Sequence, residues 1–410
     1  FTSKDKFDIA QKLDKLGIDY IEGGWPGANP TDTELFDSPP KFKKAKLYAY
    51  GMTSKAGTKI RADKALQAII KTGVKHITLV GKSWDFHVTK ALRIGKEANL
   101  ALIADSVKYL VNKKIEVIFD AEHFFDGFKS NPEYALECIK TAHKNGARWV
   151  ALCDTNGGTL PDEIYDIISK VTEHIAGKHL SIHCHDDTGN AVANSLMAVK
   201  AGVRHVQGTI NGLGERCGNA NLTSLIPTLA LKMNFNIGIG KKELKNLTHI
   251  SNYLNDLLNR HDNKYAPFVG SAAFAHKGGL HASGMSKSSK SYEHIDPALV
   301  GNKREILVSN QSGRANLIAR LRENKVRFKD SDPNIAELIK KIKQLENEGY
   351  SYDMANGSYV VLSYQYLQKP KIFFNLESYK VLVEKRINAK GKLVHVSEAI
   401  VKITIGSERI

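Results

Sequence analysis

Short apolar segments alternate with amphipathic helical segments along the chain up to residue 236. Each repeat contains a run of β-branched or apolar residues, a polar loop and a helix-like segment that ends near a glycine. Strands that alternate with helices form parallel sheets, because each helix carries the chain back over the sheet. The alternation therefore predicts an α/β fold, either a closed (β/α)8 barrel or an open doubly wound sheet.

Seven segments have the composition of strands, and they cover residues 18–23, 46–52, 76–80, 115–122, 148–154, 180–186 and 205–210. Intervening helices are predicted over 65–72, 132–144 and 191–200, with Gly73, Gly146 and Gly202 as left-handed caps. A dinucleotide-binding sheet would carry G-x-G-x-x-G after its first strand, and residues 23–27 do not match that pattern. We therefore predict a (β/α)8 TIM barrel that lacks its first strand in this chain, which begins in a helix with Ser3 as the expected N-cap.

The alternation stops after residue 236. A helix is predicted over 241–260, then a loop rich in glycine, serine and lysine over 269–290, and a second helix over 334–347. Period-two strands follow over 371–375, 379–387, 393–396 and 400–405, around an Ala-Lys-Gly-Lys turn at 389–392. The chain thus contains a barrel-sized domain, a mostly helical region and the beginning of an α+β domain.

Composition excludes several functional classes. A hydrophobic content of 42% with 25% charged residues is typical of a globular protein with a large core. The net charge of +16 comes from lysines scattered along the chain, without the dense basic block of a nucleic-acid-binding protein, so we expect no nucleic-acid partner. The apolar runs at 115–121 and 149–153 are too short to span a membrane. Four cysteines without C-x-x-C spacing favour a cytoplasmic protein with free thiols.

The strongest chemical signal is the pair His183 and His185 at the end of a predicted strand. Side chains at i and i+2 of a strand point to the same side, and the carboxyl ends of barrel strands carry the chemistry in TIM-barrel enzymes. Two neutral imidazoles form half of a divalent-metal site that a carboxylate could complete. The alternative is that both histidines only form hydrogen bonds in a polar barrel mouth.

Other strand ends are also polar. Glu22, Glu122 with His123, and Asp154 with Thr155 each lie at the end of a predicted strand, although each alone could be a helix N-cap or a surface charge. The loop at 211–219, Asn-Gly-Leu-Gly-Glu-Arg-Cys-Gly-Asn, follows the last strand, where barrels commonly bind phosphate, but could be a simple tight turn.

Two histidines lie outside the barrel. His276 and His281 occupy a glycine-rich segment with Tyr292 shortly after it, and a loop histidine can act as acid or base near neutral pH or simply be exposed. No cysteine has an evident activating partner, so catalysis by a thiolate is not expected.

Six blocks of residues together resemble a known family. They are Glu-Gly-Gly-Trp-Pro-Gly-Ala-Asn-Pro at 22–30, Phe-Asp-Ala-Glu-His-Phe-Phe-Asp-Gly at 119–127, Leu-Cys-Asp-Thr-Asn-Gly-Gly-Thr at 152–159, His-Cys-His-Asp-Asp-Thr-Gly-Asn-Ala at 183–191, Asn-Gly-Leu-Gly-Glu-Arg-Cys-Gly-Asn-Ala at 211–220 and Ala-Phe-Ala-His-Lys-Gly-Gly-Leu-His at 273–281. The whole chain resembles the 2-isopropylmalate synthase and homocitrate synthase family of metal-dependent barrel acyltransferases. The blocks at 25–30 and 121–127 are similar to its citramalate synthase branch.

The resemblance implies an activity. Members of this family join acetyl-CoA to a 2-oxo acid in a Claisen-type condensation and hydrolyse the thioester. For this branch the oxo acid would be pyruvate and the product (R)-citramalate, a precursor of isoleucine. A divalent ion, Mg, Mn, Co or Zn, would chelate the keto acid and act as Lewis acid.

The resemblance also implies roles for residues. His183 and His185 would bind the metal, with Asn219 in or near its shell. Glu122 and His87 would line the substrate site, where Glu122 also has a catalytic role, and Thr155 would hold the keto acid's carboxylate. His281, with Tyr292, would be the base that deprotonates the acetyl methyl group, and His276 is the weaker candidate.

The resemblance further implies a domain organisation. The catalytic barrel would cover 1–236, linker and helical subdomains over 237–365 would reach the active site of a homodimer partner, and 366–410 would begin a regulatory domain that binds isoleucine.

This chain departs from the family pattern at its beginning. The Asp-x-x-Leu-Arg-Asp-Gly pattern of the family's first strand, with a third metal ligand and an arginine, is absent from residues 1–410. We therefore expect this chain to be a fragment that is inactive by itself. Alternatives remain open: a 2-isopropylmalate synthase of leucine biosynthesis that uses 2-oxoisovalerate, a related metal-dependent acyl-CoA lyase, or a catalytically inactive protein that only dimerises or senses a ligand.

Overall fold

The computed structural model describes residues 1–276, 284–285, 288–306, 313–352, 355–368, 370, 373–405 and 408–409. Within this part of the chain, two compact units are formed. The first comprises residues 1–275 and 293–305, and the second comprises residues 276–292 and 306–410. The predicted domain boundaries at residues 236 and 365 remain a prediction.

Seven parallel strands form the sheet of the first unit. They are β1 (Tyr20–Gly24), β2 (Lys46–Met52), β3 (His76–Lys82), β4 (Glu116–Glu122), β5 (Trp149–Asp154), β6 (Leu180–Cys184) and β7 (His205–Gln207). Their order in the sheet follows their order in the chain, and each neighbouring pair is parallel. Strand β7 is shorter than predicted, because the Thr209 N–H bonds to the Ala220 carbonyl and a 3-10 turn, Ile210–Gly212, follows.

Helices connect the strands, as the alternation predicts. The α-helices of the first unit are Ser3–Leu16, Pro30–Asp37, Lys64–Lys71, Asp85–His87, Lys96–Asn112, Phe124–Ser130, Pro132–Lys144, Pro161–Thr172, Ala191–Lys200, Leu222–Pro227, Lys241–Leu244 and Leu247–Leu257. Most of the strands and most helices within residues 30–200 share one large buried core, whereas Ser3–Leu16, Lys241–Leu244 and Leu247–Leu257 pack in a second one. Gly73, Gly146 and Gly202 have φ angles of 77°, 104° and 115°, so the expected left-handed caps are present.

The sheet is curled, so that side chains from its two edge strands meet. The rings of Tyr20 on β1 and His205 on β7 lie 4.9 Å apart, and the Trp149 indole N–H on β5 donates to the Tyr20 hydroxyl at 3.2 Å. A cavity of about 970 Å³ opens between β1 and β7 and is lined by residues of both strands. The prediction of an α/β, barrel-like fold with seven strands is confirmed.

Two further details of the first unit differ from the prediction. Thr2, not Ser3, caps the first helix, because its hydroxyl accepts the Asp5 N–H while the Asp5 carboxylate accepts the Thr2 N–H. The single helix expected over 241–260 is divided at Lys245, where the backbone of Gly301 packs against the Lys245 carbonyl.

The second unit contains three helices and a long hairpin. The helices Arg314–Glu323, Asn334–Asn347 and Asn356–Leu367 share a small apolar core, and the middle one has the predicted bounds. The antiparallel strands Asn375–Ile387 and Leu393–Ile405 form the hairpin, to which Glu408–Arg409 adds a short third strand. The predicted turn at 389–392 is present. The four strands predicted there are wrong in number, because the segments at 393–396 and 400–405 belong to one continuous strand and the segment at 379–387 belongs to a strand that begins at Asn375. Residues 371–372 of the first predicted strand lie outside the described residues.

Two short strands, Ala275–His276 and Glu305–Ile306, complete the extended elements in the part of the chain described here. Among these residues, the helices are all too short or too polar to cross a membrane.

Candidate functional site

The histidine pair lies where β6 ends. His183 is the fourth residue of β6, His185 follows the strand by one residue, and their ring centroids are 5.2 Å apart. Burial, and then the neighbouring His183, lower the pKa of His185 to about 4. His185 is therefore a neutral imidazole near neutral pH, which is the form that binds metal ions.

Strand β7 supplies a partner for the first histidine. Gln207 lies beside His183 in the β6–β7 register, and its Oε1 is 2.7 Å from His183 Nδ1. The Gln207 amide N–H in turn donates to Asp120 Oδ1 at 3.0 Å. Sequence reasoning missed both residues, although Asp120 could have been found because it precedes Glu122 by two positions on the same face of β4.

The loop after β7 brings Asn219 to the second histidine. The backbones of His185 and Asn219 pair as an isolated β-bridge. Gly214 gives the asparagine its space, because a Cβ at Gly214 would lie 2.7 Å from Asn219 Nδ2. The loop glycines therefore place an amide beside the imidazoles, which is a more specific role than a tight turn alone.

These three residues fit a divalent metal ion. Two buried polar atoms, His185 Nδ1 and Asn219 Oδ1, have no hydrogen-bond partner among the described residues. Such orphaned buried acceptors are costly unless something satisfies them, and imidazole nitrogen with amide oxygen suits Mg, Mn, Co or Zn. Residues 1–276 and the other described segments contain no group of three or more His, Cys, Asp or Glu arranged to hold a metal. The visible donor set is therefore two imidazoles and one amide.

A second group of polar side chains surrounds the end of β4. Glu122 forms an ion pair with Lys82, which is the last residue of β3. His123 follows with a left-handed φ of 56°, and its Nδ1 is 3.1 Å from Asp126 Oδ2. The His123 backbone N–H donates to Thr155 Oγ1 at 2.8 Å. His123, the residue after Glu122, thus connects the end of β4 to Thr155 through its backbone N–H.

Thr155 is also held from the other side. Arg216 makes two hydrogen bonds with the Asp187 carboxylate, at 2.7 and 2.8 Å, and donates to the Thr155 carbonyl at 2.7 Å. The guanidinium lowers the pKa of Asp187, so the ion pair persists at neutral pH. The conformation of Thr155 is therefore determined by two independent contacts.

His87 belongs to this second group. Its ring stacks on Trp84 at a centroid distance of 5.1 Å and lies 4.2 Å from the ring of His123. Its Nδ1 is buried and has no partner among the described residues. Burial is the main cause that lowers the pKa of His87. The structure therefore brings His87, Glu122 and Thr155 together around His123.

Two carboxyl groups in the sheet are unusual. Burial and the charge of Glu122 raise the pKa of Asp120 to about 7, although the hydrogen bond from Gln207 opposes this. Glu22 on β1 lines the cavity, and loss of solvation, and then the charge of Asp120, raise the pKa of its carboxyl group to about 7. Asp154 instead serves the local fold, because its carboxylate accepts from the backbone and hydroxyl of Thr159.

Of the three candidate residues outside the barrel, His276 and Tyr292 belong to the described part of the chain. His281 lies outside the described residues. His276 forms part of the short strand Ala275–His276 and is 7% exposed. The Tyr292 ring packs close to Gly284 within the second unit and is 45% exposed.

None of the three buried cysteines has a thiol that is activated by a lowered pKa. Burial raises the pKa of the Cys138, Cys153 and Cys184 thiols above the ordinary value. Cys217 is exposed in the loop after β7.

Family models match most of the chain. A model described as HMGL-like matches residues 1–252, and one described as homocitrate synthase post-HMGL domain-like matches residues 268–350.

Curated relatives extend over nearly the full length of the chain. The (R)-citramalate synthase of Aquifex aeolicus is 49% identical over 407 residues, which are 99% of this chain and 76% of that protein. The (R)-citramalate synthase of Sulfolobus acidocaldarius is 46% identical, over 94% of this chain and 74% of that protein. The 2-isopropylmalate synthase of the same organism is 31% identical, over 88% of this chain and 90% of that protein.

Solved structures support the fold. The hydroxymethylglutaryl-CoA lyase of Pseudomonas aeruginosa gives a TM-score of 0.54 at 18% identity, over 64% of this chain and 88% of that one. The HMG-CoA lyase of Brucella melitensis gives 0.53 at 16% identity, over 63% of this chain and 92% of that one. At these identities the likeness concerns the fold alone.

Proposed function

Since this chain belongs to the HMGL-like family, in its citramalate synthase branch, and is an acyltransferase, we propose that it condenses acetyl-CoA with pyruvate and hydrolyses the thioester to (R)-citramalate and CoA. The identity to citramalate synthases exceeds that to 2-isopropylmalate synthases, at 46% against 31% for the two Sulfolobus acidocaldarius proteins. The observation that carries the proposal is that two groups, the His183–His185–Asn219 donors and the Thr155–His123–Glu122 cluster, lie at the carboxyl ends of the neighbouring strands β4, β5 and β6.

His183, His185 and Asn219 are the residues that would hold the divalent ion. When bound there, the ion supplies Lewis acidity to the carbonyl carbon of the keto acid. His185 is suited to this role because its depressed pKa keeps the imidazole neutral. Asn219 is suited because its Oδ1 is buried without another partner in the described part of the chain.

Thr155 would bind the carboxylate of pyruvate. Its oxygen already accepts the His123 N–H, so its own hydroxyl proton is directed toward a different acceptor. A carboxylate is the strongest acceptor among the groups of the substrate. Arg216 holds the Thr155 backbone in place, so the hydroxyl is oriented before substrate binds.

Glu122 and His87 would line the same pocket. The Lys82 ammonium holds the Glu122 carboxylate at the mouth of the sheet, where it can orient the substrate and take part in proton transfer. The unpartnered Nδ1 of His87 and its contact with His123 give the pocket a polar wall.

The base that removes the acetyl proton would be His281, assisted by Tyr292. These residues follow the barrel in sequence. The family resemblance supports a homodimer in which this segment of one subunit reaches the active site of the other. The same resemblance supports a cytoplasmic enzyme of isoleucine biosynthesis with isoleucine as feedback ligand.

The test is release of free thiol from acetyl-CoA by the full-length protein, followed with a thiol reagent. Pyruvate should support thiol release, and the product should be (R)-citramalate by chiral chromatography. If only 2-oxoisovalerate supports release, the protein is instead a 2-isopropylmalate synthase. Cleavage of a 3-hydroxyacyl-CoA without thiol release from acetyl-CoA would make it a lyase.

A further inference from the structure

Side chains from three strands form one hydrogen-bonded line. Gln207 on β7 lies at its centre and is hydrogen-bonded to Asp120 on β4 and to His183 on β6. We propose that Gln207, itself oriented by Asp120, is a positioning residue that holds His183 in the tautomer with its proton on Nδ1 and its lone pair on Nε2. This inference rests on the proposed function, in which His183 is a metal ligand.

The chemistry of the three groups determines the direction of each hydrogen bond. The Gln207 amide nitrogen lies 3.0 Å from Asp120 Oδ1, and the Asp120 carboxylate, when ionised, can only accept from it. The amide oxygen then faces His183 Nδ1 at 2.7 Å, and an oxygen can only accept. His183 must therefore donate from Nδ1, and a neutral ring with that proton has its free lone pair on Nε2.

The backbone gives this line little freedom to rearrange. His183 and Gln207 are register partners in the β6–β7 ladder, so their side chains lie side by side on one face. Asp120 is 7% exposed, which limits competition from water for its carboxylate. Turning the amide by 180° would set its oxygen against the Asp120 carboxylate, so that two acceptors would face each other.

The expected consequence concerns metal affinity. Groups that hydrogen-bond to the second nitrogen of a histidine ligand fix its tautomer and orientation, and their removal costs roughly 10–100-fold in affinity. His183 without Gln207 would be free to carry its proton on Nε2, where the proton blocks the metal. The second histidine has no such partner, since its Nδ1 is unpartnered among the described residues.

The first experiment observes the tautomer without any metal. Long-range ¹H–¹⁵N spectra of histidine-labelled protein distinguish protonation of Nδ1 from that of Nε2, and His183→Ala identifies the His183 signals. Spectra are recorded at about pH 8, above the Asp120 pKa of about 7, so that the carboxylate is ionised. We expect the Nδ1–H form in the unmodified protein.

Gln207→Leu should give a mixed or Nε2–H signal. Asp120→Asn should do the same more weakly, because an asparagine amide can pair with either end of the glutamine. The matched control is Gln67→Leu, which also removes a half-buried amide with two hydrogen bonds, to the Ile60 carbonyl and the Tyr109 hydroxyl. The proposal is overturned if Gln207→Leu keeps the Nδ1–H signal of the control.

The second experiment titrates the same variants with Mn²⁺ by calorimetry. Gln207→Leu should weaken binding by roughly 10–100-fold, while Gln67→Leu should stay within about threefold of the unmodified protein. A changed tautomer with unchanged Mn²⁺ affinity would overturn the positioning role. If even the unmodified protein binds no Mn²⁺ while the tautomer responds as expected, the metal role in the proposed function fails but the hydrogen-bonded line stands.

Discussion

The backbone N–H of His123 donates to the hydroxyl of Thr155 at 2.8 Å, and this bond joins the ends of β4 and β5. His123 has a left-handed backbone, which is an uncommon conformation for a residue with a side chain. The same bond leaves the Thr155 proton available to a ligand. A local deviation from regular backbone thus prepares a donor at the mouth of the sheet.

Replacing this hydroxyl tests whether it binds substrate. Thr155→Val should raise the KM for pyruvate by roughly tenfold or more, because a hydrogen bond to a charged group contributes about 1.5–3 kcal/mol. Thr155→Ser keeps the hydroxyl and should remain within about threefold of the unmodified enzyme. The measurement is steady-state thiol release with full-length protein at saturating acetyl-CoA. Equal KM values for the valine and serine variants would exclude a role in binding the carboxylate.

Gly214 should control the metal site through Asn219. A methyl group at Gly214 would lie 2.7 Å from Asn219 Nδ2 and 3.2 Å from its backbone nitrogen, so Gly214→Ala must displace the asparagine. We expect Mn²⁺ affinity to fall by roughly tenfold, measured by calorimetry. Gly158→Ala is the control, because a methyl group there meets nothing within 4 Å. Similar affinities in the two variants would show that Asn219 does not bind the ion.

Two histidines should separate metal binding from proton transfer. His183→Ala should remove bound metal, because it deletes one of the two imidazoles at the end of β6. His281→Ala should leave metal content unchanged and lower kcat by roughly 10²–10⁴-fold, as expected for loss of a general base. Metal analysis and thiol release on the same preparations provide the two readouts. Undiminished turnover in His281→Ala would mean that another residue is the base.

His205 should make the barrel sensitive to acid. Burial, and then the charge of Arg148, lower the pKa of this histidine to about 4, from an ordinary value of 6.5. A lowered histidine pKa means that the folded state resists protonation, so its stabilising contribution is complete above pH 6.5 and is lost progressively as the pH falls toward 4. The loss should be on the order of 1–3 kcal/mol.

Urea unfolding at a series of pH values measures this effect. His205→Gln should flatten the fall in unfolding free energy below pH 6.5, whereas replacement of the exposed His174 by glutamine should not. An identical pH dependence in both variants would exclude His205 as the source.

Local sequence patterns predicted much of the fold because the features they describe are local. The helices Pro132–Lys144, Ala191–Lys200 and Asn334–Asn347 have their predicted bounds, since apolar periodicity and capping residues act within a few turns. The helix expected over 241–260 is instead interrupted at Lys245. The Lys245 carbonyl there lies against the backbone of Gly301, a residue distant in sequence. The prediction placed two separate strands at 393–396 and 400–405. Pairing with Asn375–Ile387 keeps Leu393–Ile405 extended as one strand.

The sequence by itself determined the α/β alternation, the position of His183 and His185 at a strand end, and membership of an acyltransferase family. Only the tertiary structure decided which groups meet. The hydrogen bonds from Gln207 to Asp120 and from His183 to Gln207 join residues that lie 87 and 24 positions apart in sequence, and they depend on how β4, β6 and β7 pack. The contact between His123 and Thr155 likewise depends on one backbone conformation and one strand pairing. Periodicity assigns a residue to a face of its own element, whereas the register between elements sets its partner, and register arises only when the whole core packs.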